Sequence, residues 1–278
     1  MSATSDQTIL LTTDLSARGD RPMDRAINLA KTRGAKLVIL HVLEKGPAEE
    51  EAIEAAKADI ELDLAGQGVE AQIIIESGNV VTQIIENAKA CNAAMIVTGV
   101  ARSGGIGDLI MGMQLERIIQ HSPLPILIAK NRATTSYERL LLASDLSPPS
   151  AYALEQGSAL FPDLPAHIIS AFHVPFEGFL RTDESITDEF RTEQLNQMKK
   201  FIAGLNLSDE SRKSLGYSVE YGETTSVVRQ AIANSRTDLA VIGTHGNSGF
   251  RANRMGSMAR ALITFLPCDT LVVRQPVK

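Results

Sequence analysis

The sequence predicts an α/β protein made of two copies of one doubly wound unit, and three observations support this. The chain has 278 residues, enough for about two domains at the usual size of roughly 150 residues each. A strand-and-turn pattern near the amino terminus returns 131 positions later, so the two domains are duplicates. The predicted strands are short continuous apolar runs separated by stretches with helical periodicity, which is typical of parallel strands covered on both faces.

The repeat begins at the first strand, where an apolar run ends in Asp14-Leu15-Ser16 and its copy ends in Asp145-Leu146-Ser147. The next apolar runs both end in His-Val, which pairs His41 with His173. Ser16 and Ser147 stand where a helix N-cap belongs, and Pro148 and Pro149 suit a helix start. Apolar stripes at helical spacing predict two helices of the first copy: Met23, Ala26, Ile27 and Ala30, and more loosely Ile53, Ala56, Ile60, Leu62 and Leu64.

Later landmarks are 144 positions apart, as in Gly78 and Gly222, Gly99 and Gly243, and Gly112 and Gly256. The second copy therefore carries about a dozen extra residues between its second and third strands, within residues 176–215. The polar stretch 131–137 is the predicted linker between domains 1–132 and 137–278.

Composition and charge limit the possible functions. The net charge is −6 and no block of like charges occurs, which argues against a nucleic-acid or anionic-membrane partner. Two cysteines are too few for a disulfide framework, and no apolar run approaches the roughly 18 residues of a membrane helix. Residues 1–7 lack the features of a secretory signal, so we expect a cytoplasmic protein.

The loop after the fourth strand of the second copy is the candidate ligand site. Ligands of open parallel sheets bind at the carboxyl ends of the strands, where the winding reverses. Gly243 and Gly246 allow a tight turn and close approach, and Gly256-Ser257 opens a helix with free amides. The loop also contains His245, Arg251 and Arg254 and no acidic residue, which suits phosphates. From spacing alone, a surface loop with solvated arginines is an equal alternative.

This glycine spacing, with the Asp after strand one and the His-Val of strand two, resembles the ATP-binding branch of the universal stress protein family. The resemblance covers nearly the whole chain, twice. It implies five-stranded parallel sheets in the order 3-2-1-4-5, with helices on both faces. It also implies ATP, normally with Mg²⁺, held by these residues: Ala143, Ser144, Asp145, Val174, Ile242, Gly243, His245, Gly246, Gly256, Ser257 and Met258.

Within that set the family pattern places adenine near Ala143 and the Val174 backbone, the ribose or base near Asp145, and the phosphates on the glycines, Ser257 and Met258. Each assignment has an alternative. Asp145 could be a turn residue, His173 a structural histidine at a strand end, and His245 a polar loop residue.

The first copy departs from the pattern, since Arg102 replaces the second glycine and Met113 replaces the serine. A side chain then stands where backbone should approach phosphate, so we expect this copy to bind ATP poorly or not at all. Gly104, Gly105 and Gly107 leave a different small ligand open.

No phosphate-loop, dinucleotide, metalloprotease or nucleophile-elbow motif occurs, so no catalytic or protein-bound metal residue is assigned. The sequence thus predicts a stress-response regulatory protein that binds ATP in its second domain and acts through conformation, a homodimer or a protein partner. The alternatives are a scaffold without nucleotide, or a slow ATPase.

Overall fold

A computed structural model describes residues 7–16, 19–43, 49–100, 112–174, 184–245 and 255–276. The chain divides into two compact units, Met1–Ser136 and Tyr137–Lys278. Strands and helices alternate in both, which confirms the predicted α/β class. No helix among the described residues is both long enough and apolar enough to cross a membrane.

The described part of the first unit contains five strands and four helices. In chain order they are β1 (Thr8–Thr13), α1 (Asp20–Arg33), β2 (Lys36–Leu43), α2 (Glu50–Leu64), β3 (Ala71–Ser77), α3 (Val80–Ala90), β4 (Ala93–Gly99), α4 (Met113–His121) and β5 (Ile126–Ala129).

The second unit repeats this order with one additional short helix. Its described elements are β6 (Leu140–Ala143), α5 (Pro148–Leu160), β7 (Ala166–Phe172), α6 (Glu184–Ala203), α7 (Asp209–Lys213), β8 (Gly216–Tyr221), α8 (Thr224–Ser235), β9 (Leu239–Gly243), α9 (Ser257–Phe265) and β10 (Asp269–Val273). Helices α6 and α7 lie in the region where the sequence predicts the extra residues.

Within each unit the strand order is the one that the resemblance implies. The first unit runs β3-β2-β1-β4-β5 and the second β8-β7-β6-β9-β10, with parallel neighbours. The winding therefore reverses between β1 and β4, and between β6 and β9. Central strand residues such as Leu10, Leu11, Leu141 and Val241 are fully buried, because helices cover both faces of each sheet.

The structure corrects two local predictions in the first unit and confirms one in the second. Ser16 does not cap α1, which begins after Gly19; its hydroxyl donates instead to Asp14 Oδ1 at 2.7 Å. In α2, only Ala56 and Ile60 are buried and Leu62 is 74% exposed. Ser147 is the N-cap of α5, as predicted, and its side chain accepts from the Ser150 amide.

The strand registers also correct the pairing of the two His-Val dipeptides. Gly78 N donates to Leu43 O, and Gly222 N donates to Phe172 O, each at 3.0 Å. Leu43 and Phe172 are therefore equivalent, so Val42 corresponds to Ala171 and His173 lies beyond the end of its strand. The predicted pairing of His41 with His173 is wrong, because a repeated dipeptide does not fix the hydrogen-bond register.

Candidate functional site

The turns after β1 and β6 have the same construction. In the second unit, Asp145 Oδ1 accepts hydrogen bonds from Ser147 N at 3.1 Å and Ser150 Oγ at 2.7 Å. Between them Leu146 has a φ of 61°, a left-handed conformation that the Asp side chain helps to hold. Asp145 is therefore a turn residue in the structure. Its carboxylate also lies at the carboxyl edge of the sheet, where the winding reverses.

The same turn is tied to the neighbouring strands. Ser144 N donates to Ile169 O at 2.9 Å, which extends the β6–β7 pairing past Ala143. At the end of β9, a Cβ added to Gly243 would lie 3.2 Å from the Pro149 carbonyl oxygen in the first turn of α5. Gly243 thus has a packing role that the sequence does not reveal. Ile242, Gly243 and the Asp145 turn are brought to one edge of the sheet.

His245 follows this strand with one ring nitrogen fixed and the other unpaired. Its Nδ1 lies 2.8 Å from Thr244 Oγ1. Its Nε2 is buried and has no hydrogen-bond partner in the described part of the chain. Thr244 is held on both sides, since its amide donates to Val273 O at 3.1 Å and its carbonyl accepts from Gly256 N at 3.0 Å. These bonds join the exit of β9 to the start of α9.

Helix α9 begins without a side-chain cap. Gly256 is its N-cap, and no side-chain hydrogen bond satisfies its first turn. Arg260 N donates to Gly256 O at 3.1 Å. The amides of Ser257, Met258 and Ala259 have no acceptor among the described residues. Side chains cap α3, α5, α7 and α8, whereas α1, α2 and α4 have no side-chain cap, like α9. Free amides at a helix start, where the helix dipole is positive, favour an anion.

Helix α4 of the first unit has the same backbone start but different chemistry. Its N-cap Gly112 has φ −62° and ψ 150°, against −60° and 148° for Gly256. Met113 replaces Ser257, and Glu116 stands where the second unit has Arg260. Glu116 places a negative charge in the first turn of α4, whereas α9 has no acidic residue there. The structure thus adds a charge difference that the loop sequences alone did not show.

The remaining predicted residues are placed as follows. Val174 is buried, two residues past the end of β7, and Ala171 occupies the position equivalent to Val42. The adenine contact is assigned to the Val174 backbone because the sequence pairs Val174 with Val42, and the strand register does not support that pairing. His173 is exposed, and its ring centroid lies 6.4 Å from that of Tyr221. Gly246, Arg251 and Arg254, with Arg102, Gly104, Gly105 and Gly107 of the first unit, lie outside the described residues.

The first unit has a cavity of about 730 Å³ at the corresponding edge. Asp14, His41, Val42 and Gly99 line it, together with Gln114 from α4. The lining residues that the structure describes include no lysine or arginine. The strand edge of the first unit is therefore concave, but these residues offer no positive charge for a polyphosphate.

Protein-bound metal ions need several ligand side chains placed close together. Among the described residues, no group of three or more His, Cys, Asp or Glu side chains is placed to hold an ion.

Comparison with known proteins identifies the family. A model described as "Universal stress protein family" matches residues 7–130 and again residues 136–274. The chain belongs to the universal stress protein family. A curated universal stress protein of Thermus aquaticus is 28% identical over 136 residues, which cover 45% of this chain and 98% of that relative. The family unit is therefore present twice in this chain, as the repeat predicts.

Solved structures show the same fold. A universal stress protein from Archaeoglobus fulgidus aligns with a TM-score of 0.71 and 18% identity, covering 97% of this chain and 98% of that one. A second structure from the same organism, described as a complex with dAMP, covers 45% of this chain and 98% of its own, with 21% identity and a TM-score of 0.38. At 18% identity, the likeness to the first of these structures shows the fold only.

Proposed function

We propose that this universal stress protein binds ATP in its second unit and acts as a nucleotide-dependent regulatory protein. One observation carries the proposal: the start of α9 is uncapped and free of acidic residues, and it is joined through Thr244 to His245, whose buried Nε2 has no partner among the described residues. The helix start favours an anionic ligand at the carboxyl edge of the sheet, and so does His245 in the tautomer in which Thr244 Oγ1 donates to Nδ1 and Nε2 carries the hydrogen.

The phosphates would bind the amides of Ser257 and Met258, the Ser257 hydroxyl and His245 Nε2. Adenine and ribose would lie nearer Ala143, Ser144 and Asp145, with Ala171 in place of Val174 and Ile242 at the back of the site. Gly246 belongs to the phosphate loop by its spacing alone. Mg²⁺ would neutralise phosphate charge, and we assign it no protein ligand.

We propose binding and not turnover as the activity. Asp145 Oδ1 already accepts two hydrogen bonds from its own turn, so this oxygen holds the turn and is not placed as a general base. A bound nucleotide would order the start of α9, and a protein partner or a second copy of the chain would recognise the ordered state. A cytoplasmic location remains a prediction.

Calorimetric titration of the full chain with ATP, with and without Mg²⁺, tests the proposal. We expect one equivalent of ATP per chain, because α4 carries Glu116 and Met113 at the equivalent helix start. Ser257→Met removes a hydroxyl that would donate to a charged oxygen, which is worth roughly 1.5–3 kcal/mol, or about ten- to a hundredfold in Kd. The matched variant Met113→Ser in the first unit should leave Kd unchanged.

Three results would contradict the proposal: no heat of binding, two equivalents per chain, or an unchanged Kd in Ser257→Met. Turnover far above a trace rate would contradict the purely regulatory role while leaving the binding site intact.

A further inference from the structure

The second unit contains a cavity away from the proposed nucleotide site. It has a volume of about 660 Å³ and lies between α8 and one face of β6, β7 and β8. It extends from the amino ends of β6 and β7, at Leu140 and Ala166, along β8 to Tyr221. His167 lies at the amino end of β7, whereas the proposed ATP site lies at the carboxyl ends of β6 and β7. Cavities of this volume are typical of small-molecule sites.

The cavity has room for a ligand because two residues of β8 are small. Gly216 pairs with His167 and Ser218 with Ile169. In the first unit the equivalent positions of β3 are Gln72 and Ile74, paired with Val38 and Leu40. The space beside α8 therefore results from a glycine and a serine that replace two larger side chains within the same duplicated framework.

The imidazole of His167 is fitted against Gly216. A Cβ at Gly216 would lie 2.7 Å from His167 Nδ1, closer than real contacts allow, so any larger residue would displace the ring. The other ring nitrogen, Nε2, lies 2.9 Å from Ser218 Oγ. Gly216 and Ser218 thus fix the position of the imidazole in the cavity wall.

His167 and Ser218 provide hydrogen-bonding groups without charge. Burial lowers the pKa of His167, so the ring is neutral near pH 7. Its Nδ1 has no hydrogen-bond partner among the described residues. If Ser218 donates to Nε2, Nδ1 carries a hydrogen and is a donor; in the other tautomer Nδ1 is an acceptor. The pair can therefore complement either a donor or an acceptor on a ligand.

Helix α8 adds two carboxamides on the opposite wall. Gln230 Nε2 donates to Asn234 Oδ1 at 2.8 Å, which leaves Gln230 Oε1 as an acceptor and Asn234 Nδ2 as a donor. The floor between the two walls is apolar, with Leu141 and Ile169 buried beneath it. Neutral polar groups on two sides of an apolar floor suit a flat molecule with polar edges.

The charges at the cavity do not select an ion. The described lining residues include one cation, Arg139, and one anion, Glu220. Arg139 Nη1 donates to Ser235 O at 2.6 Å, and Glu220 lies 3.9 Å from Arg191 Nη1. Tyr221 is the other titratable group besides His167.

We infer that this cavity is a binding site for an uncharged nitrogen heterocycle, held between the His167–Ser218 pair and the Gln230–Asn234 pair of α8. The site is separate from the proposed ATP site and does not depend on it.

Titration of the full chain with 7-azaindole tests the inference, because this neutral bicycle has an N–H donor next to a ring-nitrogen acceptor. The chain has five histidines, so their ring signals can be followed by NMR and His167 assigned by its loss in His167→Gln. We expect saturable shifts at His167, unchanged when ATP is present. Absence of shifts at His167, or displacement of the probe by ATP, would overturn the inference.

Two sets of variants locate the probe. Gly216→Gln with Ser218→Ile copies the first unit and should weaken binding at least about tenfold by filling the cavity. Because those changes touch the core, Gln230→Ala on the exposed face of α8 is a milder test, with Glu86→Ala at the equivalent position of α3 as its control. We expect weaker binding only in the α8 variant. Equal binding in Gln230→Ala, or equally tight binding of the cation benzamidinium, would refute the assignment.

Discussion

Two glycines at the proposed ATP site should respond oppositely when each is changed to alanine. At Gly243, a Cβ would lie 3.2 Å from Pro149 O and 3.4 Å from its carbonyl carbon. These are backbone atoms in the first turn of α5 and cannot rotate away. At Gly256, a Cβ would meet Thr244 O at 3.6 Å, an ordinary contact, and the backbone has φ −60° and ψ 148°, which any residue adopts.

The expected changes in unfolding free energy follow from these contacts. Gly243→Ala forces a few tenths of an ångström of movement between β9 and α5, and overpacking of this kind typically costs about 1–3 kcal/mol. Gly256→Ala should leave stability unchanged or raise it by about 0.4–1 kcal/mol, because alanine reduces the entropy of the unfolded chain. The fold therefore does not require glycine at position 256.

Ligand binding should depend on Gly256 for another reason. A methyl group there would stand at the start of α9, where phosphate oxygens would approach the amides of Ser257 and Met258, so we expect ATP affinity to fall at least about tenfold. Urea denaturation and calorimetric titration of both variants separate the two effects. The control is Gly112→Ala in the first unit, whose backbone conformation is nearly the same.

If Gly256→Ala bound ATP like the unmodified protein, the phosphates would not lie at α9. If its free energy of unfolding fell as far as that of Gly243→Ala, the close approach to Pro149 O would not be the cause of the loss at Gly243.

Two further predictions concern the second unit. Tyr137 Oη donates to Asp269 Oδ2 at 2.7 Å, and Asp269 is fully buried. Tyr137→Phe removes a hydrogen bond to a buried carboxylate and should cost about 1.5–3 kcal/mol in urea denaturation. Tyr152→Phe is the control, and equal losses would contradict this reasoning. Burial lowers the pKa of His167 below its ordinary value of 6.5, so near and below that pH the unfolded chain binds more protons than the folded chain. The free energy of unfolding should therefore fall as the pH drops through this region. The slope is at most about 1.4 kcal/mol per pH unit, less for a half-exposed ring. His167→Val, which copies Val38, should flatten this part of the pH profile; an unchanged slope would exclude His167 as its source.

The fold was predictable because its signals are repeated and cooperative. Continuous apolar runs indicate strands covered on both faces, and the glycines after β3 and β8 both have positive φ, 119° at Gly78 and 140° at Gly222. Single-residue features were less reliable. Ser16 is a residue type that often caps helices. Its hydroxyl instead donates a hydrogen bond to Asp14, and α1 begins later, at Asp20. Leu62 fits a loose helical stripe, yet it faces solvent.

The candidate site was predictable only in part. The spacing of Gly243, Gly256 and Ser257 located the edge of the sheet, because glycines at a strand exit and a helix start leave a pattern in the sequence. The position equivalent to Val42 could not be found in this way, since only the strand register identifies Ala171. The charge difference between Glu116 of α4 and Arg260 of α9 could not be recognised either, because a single charged residue in an amphipathic helix normally indicates only its polar face.

That exchange has an energetic consequence for the two helix starts. Glu116 lies in the first turn of α4, where a negative charge stabilises the positive end of the helix dipole by about 0.3–1 kcal/mol. At the equivalent position α9 has Arg260, whose charge has the opposite effect, and α9 has no capping side chain. Neither helix has a side-chain cap, so the two starts differ in charge: Glu116 partly compensates the dipole of α4, whereas a bound anion would do so at α9. Gly112 and Gly256 have nearly the same backbone angles, so the difference in side-chain charge is a physical reason to expect an anionic ligand at α9 and not at α4.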